Sequence, residues 1–321
     1  MKEAAEKEKG MLLLDAGDLF FKKYSTPNPE NEIKGLSEKA RLILKSFNLI
    51  GYHAIGIGDD DLSLGKKFLI DLSKVSQIPF LSSNVIDEDS GKPLFKRYLI
   101  REVNGLRVGI FSLLSQDVFL RASDPRKKGL IIRDPVETAQ EMVRELGPQA
   151  DLIILLSHLS YSRDVELAQK TSGIHIIVGA HTGAHLSNPP VIENTIILQA
   201  SSQGKYAGRL DLTLLSKEAS FYNESTKRSL ESNLRRISVQ LRSPKVSEYQ
   251  NAQWKTAKER YESALQQLEG KNFFNNIISP LSQQVEDHPE IKKMVEAYKC
   301  KFPEKKEPPI HDSRGTYRSK R

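Results

Sequence analysis

The sequence predicts an α/β fold with a largely parallel sheet over its first two thirds. Up to about residue 215, short apolar runs alternate with helix-like stretches, the pattern of strand and helix in turn. Two of the runs, ADLIILLSH and IHIIVGAH, are apolar almost throughout, as strands covered on both faces are. Polar residues able to bind ligands stand at the ends of these runs rather than within them.

Taken in order, MLLLDAGD reads as a strand running into a loop, and GLSEKARLILKSFNLIGY as an amphipathic helix with Leu42, Leu44, Phe47 and Leu49 toward the core. HAIGIGDDD is a second strand, ending in carboxylates. Asn104-Gly105 sits between two apolar runs in RYLIREVNGLRVGIFSLL and predicts a tight antiparallel hairpin. Asp134-Pro135-Val136-Glu137 offers an N-cap, a proline at N1 and an acid at N3. Val136, Ala139, Val143 and Leu146 then repeat at helical spacing until Gly147-Pro148, so a helix is expected over 135–146. ADLIILLSH and IHIIVGAHTGAH follow as buried strands ending at His158 and His181, and NTIILQASSQGKYAGRLDLTLL supplies two more.

After about 216 the periodicity becomes helical. Leu230, Leu234, Ile237 and Leu241, and then Trp254, Ala257, Tyr261, Ala264 and Leu268, predict two long antiparallel helices joined near Ser243-Pro244. FFNNIISPL and the helix HPEIKKMVEAYKCKF close the ordered part. The expected division is therefore 1–215 for the α/β domain, 216–300 for a helical hairpin and C-terminal helix, and 301–321 for a flexible basic tail.

Of 321 residues, 38% are hydrophobic, which is adequate for a real core. The net charge of +7 does not indicate nucleic-acid binding. The last 21 residues alone carry seven Lys or Arg against three acids, with no interleaved aromatic platform. No run has the length of a transmembrane helix, and MKEAAEKEKG lacks the apolar segment of a signal peptide, so the chain as written reads as soluble. Cys300 is the only cysteine, which excludes an intrachain disulfide and a thiolate metal cluster.

Asp18, Asp59, His158 and His181 each fall at or just beyond the C-terminal end of an apolar strand, the edge at which parallel α/β sheets bind ligands. Taken singly, each is more often a helix cap or a solvated side chain; their shared placement favours a site. Carboxylate and imidazole without thiolate suit manganese, iron or zinc.

The motifs LLLDAGDLF, GYHAIGIGDDDLSLG, PFLSSNV, VNGLRVGIFSLL, ADLIILLSHLS, IHIIVGAHTGAH and IILQASSQGKYAGRLDL run in the order of a calcineurin-like metallophosphoesterase. Over residues 11–215 the chain most closely resembles the 5'-nucleotidase and UDP-sugar hydrolase branch. The resemblance implies a four-layer α/β/β/α sandwich, here followed by a helical hairpin. It also implies divalent metal at the strand ends and hydrolysis of phosphate esters by a metal-activated hydroxide. Asp18 takes the place of the carboxylate that bridges two metals, Asp59 that of a ligating Asn, and His158 and His181 those of metal-binding histidines. Asn84 matches a position near the substrate; a turn residue at a strand end is its plainer reading.

The departures are equally specific. Asp60 stands where the family has a catalytic His, and an ionised carboxylate cannot protonate a leaving group at neutral pH. Asp61 matches the motif's last acid, with helix capping as its alternative. Gly183 replaces the second His of the last motif; His185, two residues on, could reach the site by another loop path or face solvent as a loop residue. The family's Asp-x-His strand has no counterpart before MLLLDAGD, so the chain is expected to begin inside the domain. His53 and His175 sit at strand beginnings and read as structural, and His288 as part of a helix cap.

Two functions follow: a metal-dependent hydrolase of small phosphorylated substrates, nucleotides among them and with weak activity, or a degenerate module that keeps the scaffold for binding. The expectation includes no nucleic acid, no membrane span, a partner surface on helices 217–268, and a periplasmic or extracytoplasmic parent protein.

Overall fold

The computed structural model describes residues 10–121, 123–216, 218, 220–242 and 247–303. The chain opens with β1 (Leu14–Asp15), α1 (Glu30–Ile50), β2 (Ala54–Gly56), α2 (Gly65–Lys74) and β3 (Phe80–Leu81). The three strands form a parallel sheet in that order. β4 (Val85–Asp87) pairs antiparallel with β7 (Leu130–Ile132), while β5 (Tyr98–Val103) and β6 (Leu106–Leu114) form the predicted hairpin. Asn104 and Gly105 both take positive φ, 51° and 79°, as the tight turn requires.

α3 (Pro135–Leu146), β8 (Leu152–His158), α4 (Tyr161–Lys170), β9 (Ile176–Gly179), β10 (Val191–Ile192) and β11 (Thr195–Leu198) complete a six-stranded sheet of order β10-β11-β9-β8-β6-β5. Its four central strands are parallel. α3 has the limits its sequence predicts, with the Asp134 carboxylate accepting the Glu137 N–H and proline at N1.

Strand alternation builds the layers. Phe111 and Leu113 of β6, with Ile153 and Leu155 of β8, pack against Ala139, Met142, Leu146 and Leu167 of α3 and α4. Val108, Ile110, Leu152, Ile154 and Leu156 point the other way and meet Ala16, Ala54 and Leu81 of the small sheet. The far face of that sheet, Ile55 and Phe80, is covered by Ala40, Leu44, Leu69 and Leu72 of α1 and α2. The result is the α/β/β/α sandwich.

The rest of the chain forms β12 (Tyr206–Thr213), β13 (Phe221–Asn223), α5 (Glu224–Gln240), α6 (Glu248–Gln267), β14 (Asn272–Pro280) and α7 (Pro289–Lys301). The division expected at 215 falls inside a third sheet, because β14 pairs along the whole of β12 and beside β13. Phe221 and Phe274 are buried in the core between the six-stranded sheet and the sheet of β1, β2 and β3. Asn275 and Asn276 interrupt the apolar run of β14 and hide its strand character. Asn276 Nδ2 spends its hydrogens on the Leu186 and Ser187 carbonyls, tying the strand to the sandwich. The helical hairpin is thus an insertion between two strands rather than a following domain. Its joint at Ser243-Pro244, and the tail beyond residue 303, lie outside the described residues. α7 returns to α1, where Tyr298 Oη donates to the Gly35 carbonyl at 3.1 Å. No described helix is long and apolar enough to cross a membrane.

Candidate metal centre

Four strand ends meet at one point. Asp18 lies three residues past β1, Asp59 three past β2, His158 closes β8, and His181 lies two past β9. One oxygen or nitrogen from each lies within 4.8 Å of the other three. Asp59 and His158 are buried, at 4% and 0% exposure, whereas the Asp18 and His181 side chains are 25% and 30% exposed and give the cluster its access to solvent.

The local backbone is unusual. Asp18 and His181 take left-handed conformations, φ 59° and 69°, and Ser160 just past His158 has φ 105°. Such strain persists only where surrounding structure enforces it. The loops after β1 and β2 also touch so closely that only glycine fits at two positions. A Cβ on Gly17 (φ 101°) would strike the Gly58 backbone, and one on Gly58 would strike Asp18.

The three adjacent aspartates have separate tasks. Asp61 is fully buried and accepts three backbone N–H groups, from Asp18 at 2.9 Å, Gly58 at 3.0 Å and Phe20 at 3.1 Å, so it ties the two loops together. Asp60 Oδ1 accepts the Tyr24 N–H at 2.8 Å, and the Asp60 N–H donates to Asp18 Oδ1 at 2.8 Å. Asp59 Oδ1 faces the histidines, 3.2 Å from His158 Nε2 and 3.5 Å from His181 Nδ1. Its other oxygen, with Asp60 Oδ1, meets the guanidinium of Arg126.

Charge states follow from burial and neighbours. Burial and the Asp18 charge push the Asp61 carboxyl up to about 7, against the pull of the Gly58 and Phe20 N–H groups. Asp60 is raised to about 6, first by burial and then by Asp18. Asp15, below the cluster, is also raised to about 6 by burial. Asp59 goes the other way: burial opposes its ionisation, but hydrogen bonds from His158 and His181 hold it well below the usual carboxylate range. For His158, burial disfavours the charged ring, and Asp18 and Asp59 more than offset it, so the ring titrates well above an ordinary histidine.

The donor set suits a divalent transition ion: two carboxylates, two imidazoles and no sulfur. His158 Nδ1 faces the Ala16 carbonyl at 3.1 Å and so carries a hydrogen. In the neutral ring, Nε2 then turns a lone pair toward both Asp18 Oδ2 and Asp59 Oδ1, each at 3.2 Å. Either a protonated ring or a cation among these atoms relieves that arrangement. Asp18, Asp59, His158 and His181 are the residues that could hold the cation.

No family model matches the chain. It is 28% identical over 244 residues to the trifunctional nucleotide phosphoesterase protein YfkN of Bacillus subtilis, a match covering 63% of this chain and 16% of that protein. With a 5'-nucleotidase of Vibrio cholerae it shares 28% identity over 232 residues, covering 63% and 40% of the two chains. The solved structure of a 5'-nucleotidase precursor from Thermus thermophilus superposes with a TM-score of 0.61 at 24% identity, over 91% of this chain and 50% of that one. These likenesses support the 5'-nucleotidase branch of the metallophosphoesterase superfamily. The chain spans well under two thirds of the length of each of these relatives.

Against the 5'-nucleotidase pattern, the other residues singled out from the sequence lie as follows. Asn84 is fully buried, and its amide is spent on backbone: Nδ2 donates to the Leu114 and Arg133 carbonyls, and Oδ1 accepts the Leu114 N–H. It clamps β6 to the loop after β7 and offers a substrate nothing among these bonds. His185 lies outside the four-residue cluster; its backbone bridges Ala200 and its ring packs on Tyr206, centroids 5.1 Å apart. His53 and His175 each accept a backbone N–H through Nδ1, from Leu13 at 3.0 Å and Ile153 at 2.9 Å, while His288 is the N-cap residue of α7. Sequence reasoning missed Arg126 and its partner Asp124. The Asp124-Pro125 turn was the visible signal, but nothing local announces an ion pair to residues more than sixty positions earlier.

Proposed function

We propose that the chain binds a divalent transition metal through Asp18, Asp59, His158 and His181 and hydrolyses phosphate esters, with weak turnover. The observation that carries the reading is the convergence of four ligand atoms within 4.8 Å at the ends of four strands from two sheets. A divalent ion held there supplies Lewis acidity toward a phosphoryl oxygen and toward water. The partly exposed Asp18 and His181 leave it open on one side. Nucleotides are the substrate class suggested by the relatives, and an extracytoplasmic parent protein is the matching proposal on location, tested by cell fractionation. Manganese, iron and zinc all suit the donors.

Low turnover follows from position 60. Its carboxylate engages Tyr24 and Arg126, and no imidazole stands there to assist leaving-group departure. Loss of such a group costs about two to four orders of magnitude in rate. The same engagement favours a second reading, a scaffold kept for binding without catalysis. Comparing wild type, Asp60→His and Asp18→Ala on p-nitrophenyl phosphate and on a nucleotide, with manganese supplied, separates the two. Weak hydrolysis that Asp60→His raises and Asp18→Ala abolishes supports the hydrolase. Equal background rates in all three support the binding module, and ordinary enzyme rates on the nucleotide in wild type overturn the low-turnover reading.

A further inference from the structure

Arg126 is 3% exposed, and each of its three guanidinium nitrogens donates to a carboxylate. Its Nε and Nη2 form a fork with Asp124, at 3.0 Å to Oδ1 and 2.8 Å to Oδ2. Nη1 reaches forward between two carboxylates, 2.6 Å from Asp59 Oδ2 and 2.8 Å from Asp60 Oδ1. The guanidinium carbon lies 4.4 Å from the ring centre of Tyr24 and 5.2 Å from that of Phe119, so both rings help seal it from water.

Two neighbouring buried carboxylates repel unless a cation lies between them, and the repulsion grows as water is excluded. Here one nitrogen serves both. Asp59 is divided by it: Oδ1 faces His158 and His181, while Oδ2 belongs to the guanidinium. A carboxylate held in this way presents a single oxygen to a metal and cannot spread across two ions.

We infer that Arg126 is a built-in cation for the Asp59–Asp60 carboxylate pair, a positioning residue that limits the centre to one metal ion bound through Asp59 Oδ1. The inference rests on the metal-binding reading above and adds the count and its cause. A residue that merely stapled the loop would, on removal, weaken metal binding. A built-in cation has the opposite signature, because its removal frees two anionic oxygens beside the site.

The test uses the full chain, stripped and then loaded with manganese, with metal content after gel filtration and the manganese electron paramagnetic resonance spectrum as readouts. Wild type is expected to hold about one ion with the hyperfine pattern of isolated manganese. Arg126→Gln, which keeps a donor but loses the charge, is expected to rise toward about two ions with a spectrum broadened by coupling. Arg126→Lys, which keeps the charge, should stay at about one. Asp124→Asn loosens the fork yet leaves the guanidinium, and should keep one ion with affinity changed by less than about tenfold, the lower end of ordinary losses on removing a ligand's supporting partner. Asp124→Asn keeps the proposal open to test if the Arg126 variants do not fold. Arg126→Gln holding one ion or fewer with unchanged or weaker affinity overturns the inference, as does a greater than tenfold loss in Asp124→Asn. A wild type that takes up no manganese overturns the metal-binding reading itself, and this inference with it.

Discussion

Asp61 accepts the backbone N–H of Asp18 at 2.9 Å, so the loop after one strand holds the ligand carried by the loop after its neighbour. Asp61→Asn is expected to test that tie. Whichever way the amide turns, its nitrogen opposes at least one of the three N–H groups now accepted. A loss of about 1–3 kcal/mol in stability is expected from urea melts, together with weaker manganese retention. An unchanged melt with unchanged retention would show that the loop holds itself.

Asp164, a neighbour of the ligand cluster but not a member of it, gives a pH dependence of its own. It is fully buried, its Oδ1 accepts the Ser157 hydroxyl, and its Oδ2 has no hydrogen-bond partner among the described residues. Burial raises its carboxyl from 3.8 to about 7, against the pull of Ser157 and His158. The folded chain keeps this proton while the unfolded chain has released it. The group's stabilising contribution is therefore full below about 4 and is lost as pH rises through about 7. Asp164→Asn stays neutral throughout, so relative to wild type the variant should gain in stability between pH 4 and pH 8, by about 1 kcal/mol or more. Parallel pH profiles of melting temperature for the two proteins would count against the raised carboxyl.

His181 and His185 differ only slightly in sequence position but should differ sharply in effect. His181→Ala removes a ring at the cluster and should weaken manganese binding at least about tenfold by titration calorimetry, while His185→Ala, which alters only packing on Tyr206, should not. Equal losses would place His185 in the centre after all.

Ile237 on α5 is 7% exposed, and Val239 two residues later is 65% exposed. Ile237→Asp should lower stability by roughly 3 kcal/mol or more through an unpaired buried charge, and Val239→Asp should stay within about 0.5 kcal/mol. Similar melting curves for the two would mean that α5 is not packed against β13 and β14.

Much of the frame was legible because its signals are local. Asn104-Gly105 fixes a turn by its φ angles, and Asp134-Pro135 starts α3 through its own neighbours. The apolar strands point at their terminal histidines by pattern alone. The tasks of Asp60, Asp61 and Arg126 were not legible, since each is set by a partner 36 to 67 positions away. Asn84 misled for the same reason: a strand-end Asn looks like a turn or a contact residue until the carbonyls of Leu114 and Arg133 are seen to claim it. β14 escaped because two asparagines interrupt its apolar run, and one of them, Asn276, makes sense only beside the sandwich that it grips.

The hairpin of α5 and α6 leaves the third sheet at Asn223 and re-enters it at Asn272, and the two strands that flank it are direct neighbours. Its two feet are therefore planted side by side, and whatever happens to its length is not transmitted to the strand ends that carry Asp18, Asp59, His158 and His181. Such an arm can be lengthened, shortened or given a new tip by whole helical turns while the four ligands stay in place. Adaptation of its outer surface and adaptation of the centre are mechanically uncoupled, so selection can work on one without disturbing the other.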